Sequence, residues 1–217
     1  MKMSTRITVR FVVVLAIVLG TFVARSIPAT AQQGGLDPAP DPRVAGIEQD
    51  FLMGMIPHHR GAIMMAEMAV TKASRPEVRE LAQKIITDQQ PEVQLMTNWL
   101  QNWYGMQPPQ GTMMPADIMM RMDMPMLRGL MPDMEARMEA LKAKSGPAFD
   151  IEFLSAMSDH HAQAVMMSTP VLIAGHHRDL YPFTTHLVAS QNEEIGQMRD
   201  YLERFYGIVR PLSTRPR

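Results

Sequence analysis

From Ile47 to about Lys72, Glu48, Phe51, Met55, His59 and Ala62 recur at intervals of three or four, so they share one stripe of a helix. Pro57 falls inside that helix and is expected to kink it ahead of the histidines. Ser74-Arg75-Pro76-Glu77 reads as a turn and a restart, with Ser74 as N-cap and Pro76 in the first turn. A second helix follows from about Pro76 to Tyr104. Its apolar face takes Val78, Leu81, Ile85, Gln89, Val93, Met96 and Leu100, and Gly105 with Pro108-Pro109 ends it.

The same pattern returns at a constant offset of 102 residues. Met55-Ile56-Pro57-His58-His59-Arg60-Gly61-Ala62-Ile63-Met64-Met65 becomes Met157-Ser158-Asp159-His160-His161-Ala162-Gln163-Ala164-Val165-Met166-Met167. Phe51 falls on Phe153, Gln89 on Gln191, Glu92 on Glu194, Met96 on Met198, and Tyr104-Gly105 on Tyr206-Gly207, without a gap. Such a correspondence reads as two copies of one structural unit. The second copy is a helix from Ala148 to about Ala174, a turn at Gly175-His176-His177, and a helix from Tyr181 to Tyr206. No strand pattern is seen. Two helix hairpins that cannot each bury an apolar stripe alone predict an all-α antiparallel four-helix bundle with internal pseudo-two-fold symmetry.

That organisation divides the chain. Residues 1–31 have the layout of a secretory signal peptide: Lys2, Arg6 and Arg10, an apolar run from Phe11 to Val23, and Ala29-Thr30-Ala31 as a small-x-small cleavage site. Residues 32–45 are a Gly/Pro-rich leader, expected to be flexible or extended. The bundle covers 46–207: a first hairpin over 46–105, a connector over 106–147, a second hairpin over 148–207, and then a tail over 208–217. In the connector a Met-rich stretch precedes a short helix from Asp133 to Lys144. The signal places the protein in the periplasm or outside the cell, touching membrane only before cleavage. Without residues 1–31 the chain carries 17 basic against 22 acidic side chains, which argues against nucleic acid as a partner. It has no cysteine, so it holds together by packing alone and offers no thiolate ligands.

Methionine is in excess, with 23 residues, and this directs attention to soft-metal chemistry. Met55 stands three and four residues before His58 and His59, and Met157 stands likewise before His160 and His161. Either spacing sets a thioether beside an imidazole. That mixture of soft and borderline ligands suits copper, above all Cu(I), better than Mg²⁺, Ca²⁺ or Mn²⁺. Neighbouring helical residues point about 100° apart, so the two histidines of a pair cannot aim at one point. The alternative is that one histidine of each pair is a hydrogen-bonded core residue and the other is solvated. Met119, Met122, Met124 and Met126 cluster where Pro125 forbids a regular helix, and flexible thioethers can fold around a soft ion. Met131, Met134, Met138 and Leu141 follow helical spacing and read as core. Glu92 and Glu194 either face the histidines, as ligands or as acceptors for imidazole N–H, or lie on a solvated helix face. Glu48 and Asp150 either pair with the histidines or cap a helix. His176, His177 and His186 have no histidine counterpart in the first copy and form at most a surface site.

Phe149-Asp150-x-x-Phe153-Leu154-x-x-Met157-x-x-His160-His161-x-x-Ala164 resembles the signature of the DUF305 family. Phe51-x-x-x-Met55-Ile56-Pro57-His58-His59-x-x-Ala62 resembles its other characteristic half. The resemblance implies a ferritin-like helical bundle and an exported protein; the family's CopM-type members bind copper and aid copper resistance. It carries metal binding onto Met55, His58, His59, Met157, His160 and His161. Ser158-Asp159 stands in the second copy where Ile56-Pro57 stands in the first.

Two rivals are a structural or partner-binding bundle without metal and a ferritin-like di-iron enzyme. The di-iron chemistry wants Glu-x-x-His on two helices, and no such spacing occurs in this chain. The reading that follows is a non-enzymatic exported protein that binds or buffers copper, as Cu(I) or Cu(II), and can hand it to a copper-handling partner protein.

Overall fold

The computed structural model describes residues 36–122 and 134–209. Within them lie six helices: α1 (Pro42–Lys72), α2 (Pro76–Tyr104), α3 (Ala116–Arg121), α4 (Met134–Ala143), α5 (Gly146–Ala174) and α6 (Leu180–Tyr206). There is no strand among the described residues. The signal segment, the end of the tail and Met124, Met126 and Met131 lie outside them.

Local chemistry sets the helix ends. α1 begins at Pro42, inside the stretch expected to be extended, because the Asp41 carboxylate accepts the Arg43 N–H at 2.8 Å and Pro42 supplies a helical first residue. Pro57 lies inside this helix, which continues past it to Lys72. α2 and α6 stop in the same way. Gly105 and Gly207 adopt left-handed φ values of 63° and 66°, where glycine alone is unstrained, and each returns its N–H to the preceding turn. The connector holds a second helix that its methionines and prolines did not suggest, the short α3.

α1 packs against α2, and α5 against α6, as two hairpins; α1 and α5 also cross each other antiparallel. Gly54 of α1 faces the Met114 and Met167 methyls, and Gly61 faces His160. Two apolar clusters result, and the 102-residue offset exchanges them. One holds Phe51, Leu52, Met55, Met96 and Leu100 together with Met167 from the other hairpin. Its counterpart holds Phe153, Leu154, Met157, Met198 and Leu202 together with Met65. Each hairpin therefore closes the other's core, as the duplicated stripe predicted.

Two buried carboxylates tie the hairpins together. Glu48 of α1 accepts the backbone N–H groups of His176 and His177 in the opposite hairpin's turn, at 2.6 and 2.9 Å, and the Tyr104 hydroxyl at 2.5 Å. Asp150 of α5 does the same for Ser74 and Arg75, at 2.8 and 3.1 Å, and for Tyr206 at 2.6 Å. Burial pushes the Glu48 carboxyl up, but the bonds from Tyr104 and His177 outweigh it and hold it below the usual range. Neither carboxylate touches the His58-His59 or His160-His161 pair. Nor do they cap their own helices: each carboxylate holds the turn of the partner hairpin, and α1 takes its cap from Asp41.

Candidate metal centre

The crossing of α1 and α5 is where equivalent residues of the two copies meet. His58 and His160 lie face against face there, with ring centroids 3.6 Å apart and planes tilted by 31°. Gly61 makes room: a Cβ at that position would lie 3.4 Å from His160 Nε2 and 3.2 Å from the Thr112 carbonyl oxygen. Both imidazoles are buried, and burial pushes both well below the ordinary histidine value. The neighbouring histidines add to this, His59 and His161 acting on His58, and His58 first of all on His160. The rings are consequently neutral and keep a lone pair each. Both ring nitrogens of His58 and Nδ1 of His160 lack a completed hydrogen bond, with Gln163 the polar side chain that approaches His58.

His59 and His161 turn the other way, toward the second helix of their own hairpins. Their ring centroids stand 6.3 and 6.5 Å from those of His58 and His160. His59 Nε2 lies 2.9 Å from Glu92 Oε2, and His161 Nε2 lies 2.8 Å from Glu194 Oε2. An ionised carboxylate can only accept, so Nε2 carries the hydrogen, and in the neutral ring that leaves the lone pair on Nδ1. Both Nδ1 atoms are buried and unpartnered. An imidazole held by carboxylate on one nitrogen and bare on the other is oriented as metal-ligating histidines are.

None of the four motif histidines is solvated, at 6 %, 0 %, 2 % and 0 % exposure along the chain, so the core-plus-solvated alternative does not hold. Met55 and Met157 are fully buried one turn before them. Glu92 and Glu194 act as acceptors. Of the connector methionines, Met119 and Met122 are half-buried, and Met122 packs on the cluster around Met55. Met138 and Leu141 are core, as expected. His177 is structural: its ring stacks on Trp103 at 3.8 Å and meets Glu48 and the Asp37 carbonyl, while His176 and His186 are exposed. Among the described residues no three His, Asp or Glu side chains are grouped as a ready-made cation cage. The sequence had passed over Gln163 and given Lys84 no role. Lys84 bonds Glu194 Oε1 at 2.7 Å, and its only signal was its place at the counterpart of His186.

Fold and site together define a helical bundle built from a duplicated helix hairpin, with buried imidazoles where the two copies cross. The chain belongs to the DUF305 family, described as a domain of unknown function, whose model matches residues 48–202. The fold is similar to that of CopM in its Cu(I)-bound form, at 32% identity, 74% of this chain, 98% of that one and a TM-score of 0.59. CopM in an Ag-bound form matches at 32% identity, 74% and 98% coverage and a TM-score of 0.58. A candidate secreted DUF305 protein from Streptomyces coelicolor matches at 28% identity, covering 72% and 91% of the two chains, with a TM-score of 0.60. Uncharacterized protein L153 of Acanthamoeba polyphaga mimivirus is 40% identical over 53 residues, which is 24% of this chain and 35% of that protein. The chain thus spans about a third of that curated relative. No helix among the described residues is long and apolar enough to cross a membrane.

Proposed function

We propose that this protein is an exported copper-binding protein that buffers copper or hands it on without turning over a substrate. The observation that carries the reading is the pair of buried, unpartnered Nδ1 atoms on His59 and His161, each presented by a glutamate on the opposite nitrogen. In each half a soft cation would take that Nδ1 and the thioether one turn earlier, Met55 or Met157. The neutral imidazoles of His58 and His160 stand at the axis between the halves. Neutral imidazole and thioether donors release no thiol proton and favour Cu(I), while imidazole also accepts Cu(II). Met119, Met122, Met124 and Met126 would supply further thioethers from the connector. The likeness to CopM, whose structures carry Cu(I), Cu(II) and Ag, supports copper as the cargo.

The test is a Cu(I) competition titration against a chromophoric chelator. The wild type is compared with His58→Ala/His59→Ala, with His160→Ala/His161→Ala, and with a variant carrying Leu at Met119, Met122, Met124 and Met126. Binding that weakens in both histidine variants supports a site in the bundle. Loss confined to the methionine variant moves it to the connector. No binding by the wild type in either oxidation state ends the copper reading.

A further inference from the structure

The two halves match in fold but not in charge around their glutamates. Glu194 uses both carboxylate oxygens: Oε2 takes the His161 ring and Oε1 takes the Lys84 ammonium at 2.7 Å. Lys84 comes from α2 of the other hairpin and shares its charge with the exposed Asp88, also at 2.7 Å. Glu92 has one partner among the described residues, His59 on Oε2. The residues at the positions matching Lys84 and Asp88 are His186 and Ser190, and His186 is exposed. Glu92 is also the more open of the two, with 15% of its side chain exposed against 5% for Glu194.

This difference bears on the metal. A carboxylate bonded to the far side of an imidazole pushes electron density toward the bare nitrogen and makes it a better ligand. An ammonium on the same carboxylate draws that density away and adds a positive charge near the incoming ion. We propose that Lys84 makes the halves unequal, so that the Met55–His59–Glu92 half takes a soft cation first and the Met157–His161–Glu194 half takes it second. Lys84 is a positioning residue, since it acts through Glu194 rather than on the ion. The inference rests on the metal-binding reading above and adds an order of filling to it.

The order is read by titrating Ag⁺ into full-length protein labelled with ¹⁵N in its histidines and following each imidazole by NMR. At half an equivalent of Ag⁺, the wild type is expected to shift His59 and leave His161 in place, as about a tenfold affinity difference requires. Lys84→Met removes the charge at a half-exposed position, so the fold should survive, and His59 and His161 should then respond together. Lys84→Arg should restore the wild-type order. Simultaneous filling in the wild type, His161 first, or an unchanged order in Lys84→Met would overturn the inference while leaving metal binding intact. If no imidazole responds at any ratio, the binding reading fails and the inference goes with it.

Discussion

His58 and His160 occupy the same place in two copies of one hairpin, and they meet each other at 3.6 Å on the internal axis. Contact between equivalent residues is what an internal two-fold produces at its centre. Here it stacks two neutral imidazoles in a closed core, and that has consequences for stability.

Both rings are held well below the ordinary histidine value by burial first and neighbouring histidines second. In the unfolded chain they titrate at about 6.5. A depressed folded value means that the unfolded state binds protons first as pH falls. The stability is therefore complete above the unfolded value and is lost on acidification toward the folded ones. Each ring should remove up to about 1.4 kcal/mol per pH unit in that window. Urea unfolding of metal-free protein at pH 7.5 and 5.5 measures the loss, and His58→Leu/His160→Leu should flatten it. An equal pH dependence in the double variant would show that other groups dominate.

The carboxylate ties give a second expectation. Glu48→Ala leaves the N–H groups of His176 and His177 and the Tyr104 hydroxyl without their shared acceptor; Asp150→Ala does so for Ser74, Arg75 and Tyr206. Loss of a buried ionic acceptor costs about 3 kcal/mol. Each variant should lose that much, and the two losses should be alike because the sites are equivalent. Urea midpoints would show it. A loss below about 1 kcal/mol at either site would mean that water replaces the carboxylate.

The duplication explains how much could be read in advance. Because Phe51 to Gly105 repeats as Phe153 to Gly207, the sequence shows both hairpins and requires that equivalent stripes meet. It also offers Glu92 and Glu194 as partners for the histidines, beside the alternative of a solvated face that their burial rules out. Which histidine faces the axis was not legible, since positions 58 and 59 differ by a rotation of about 100° that only packing decides. The targets of Glu48 and Asp150 were hidden for another reason: they lie on the opposite hairpin's turn, and no local spacing encodes that distance. The α1 start was missed because Asp41-Pro42 resembles the proline-rich leader it follows, although the same two residues make an N-cap and first turn.

Glycines at the α1–α5 crossing should respond differently to alanine. At Gly54 the new Cβ meets the ends of two flexible side chains, the Met114 and Met167 methyls at 3.2 Å. These can swing aside, so the gain in helix propensity, about 1 kcal/mol, should leave Gly54→Ala near neutral or slightly stabilised. At Gly61 the nearest atom is the Thr112 backbone oxygen at 3.2 Å, with His160 Nε2 behind it. Overpacking against backbone costs about 1–3 kcal/mol. Gly61→Ala should therefore be destabilised and should displace the His160 ring, seen as a shift of its imidazole resonances. Equal stability of the two variants would contradict the close approach.

His177 should act on the leader rather than on the bundle. Its ring lies flat on Trp103 with planes 8° apart, and its Nε2 bonds the Asp37 carbonyl at 2.7 Å. At the equivalent place in the other half, the Arg75 guanidinium lies 4.2 Å from the centre of the Phe205 ring. No comparable leader runs past Arg75 among the described residues, so its position isolates the stacking from the tether. His177→Ala removes the bond to Asp37 and uncovers Trp103, while Glu48 keeps its backbone bonds to the turn. Amide exchange in peptides spanning residues 36–41 should rise about tenfold or more as their opening free energy falls by more than ~1.4 kcal/mol. Exchange in α5 should stay slow, and the tryptophan emission should move to longer wavelength. Arg75→Ala should leave the leader protected. Rapid exchange throughout α1 in His177→Ala would instead make the histidine part of the bundle's own stability.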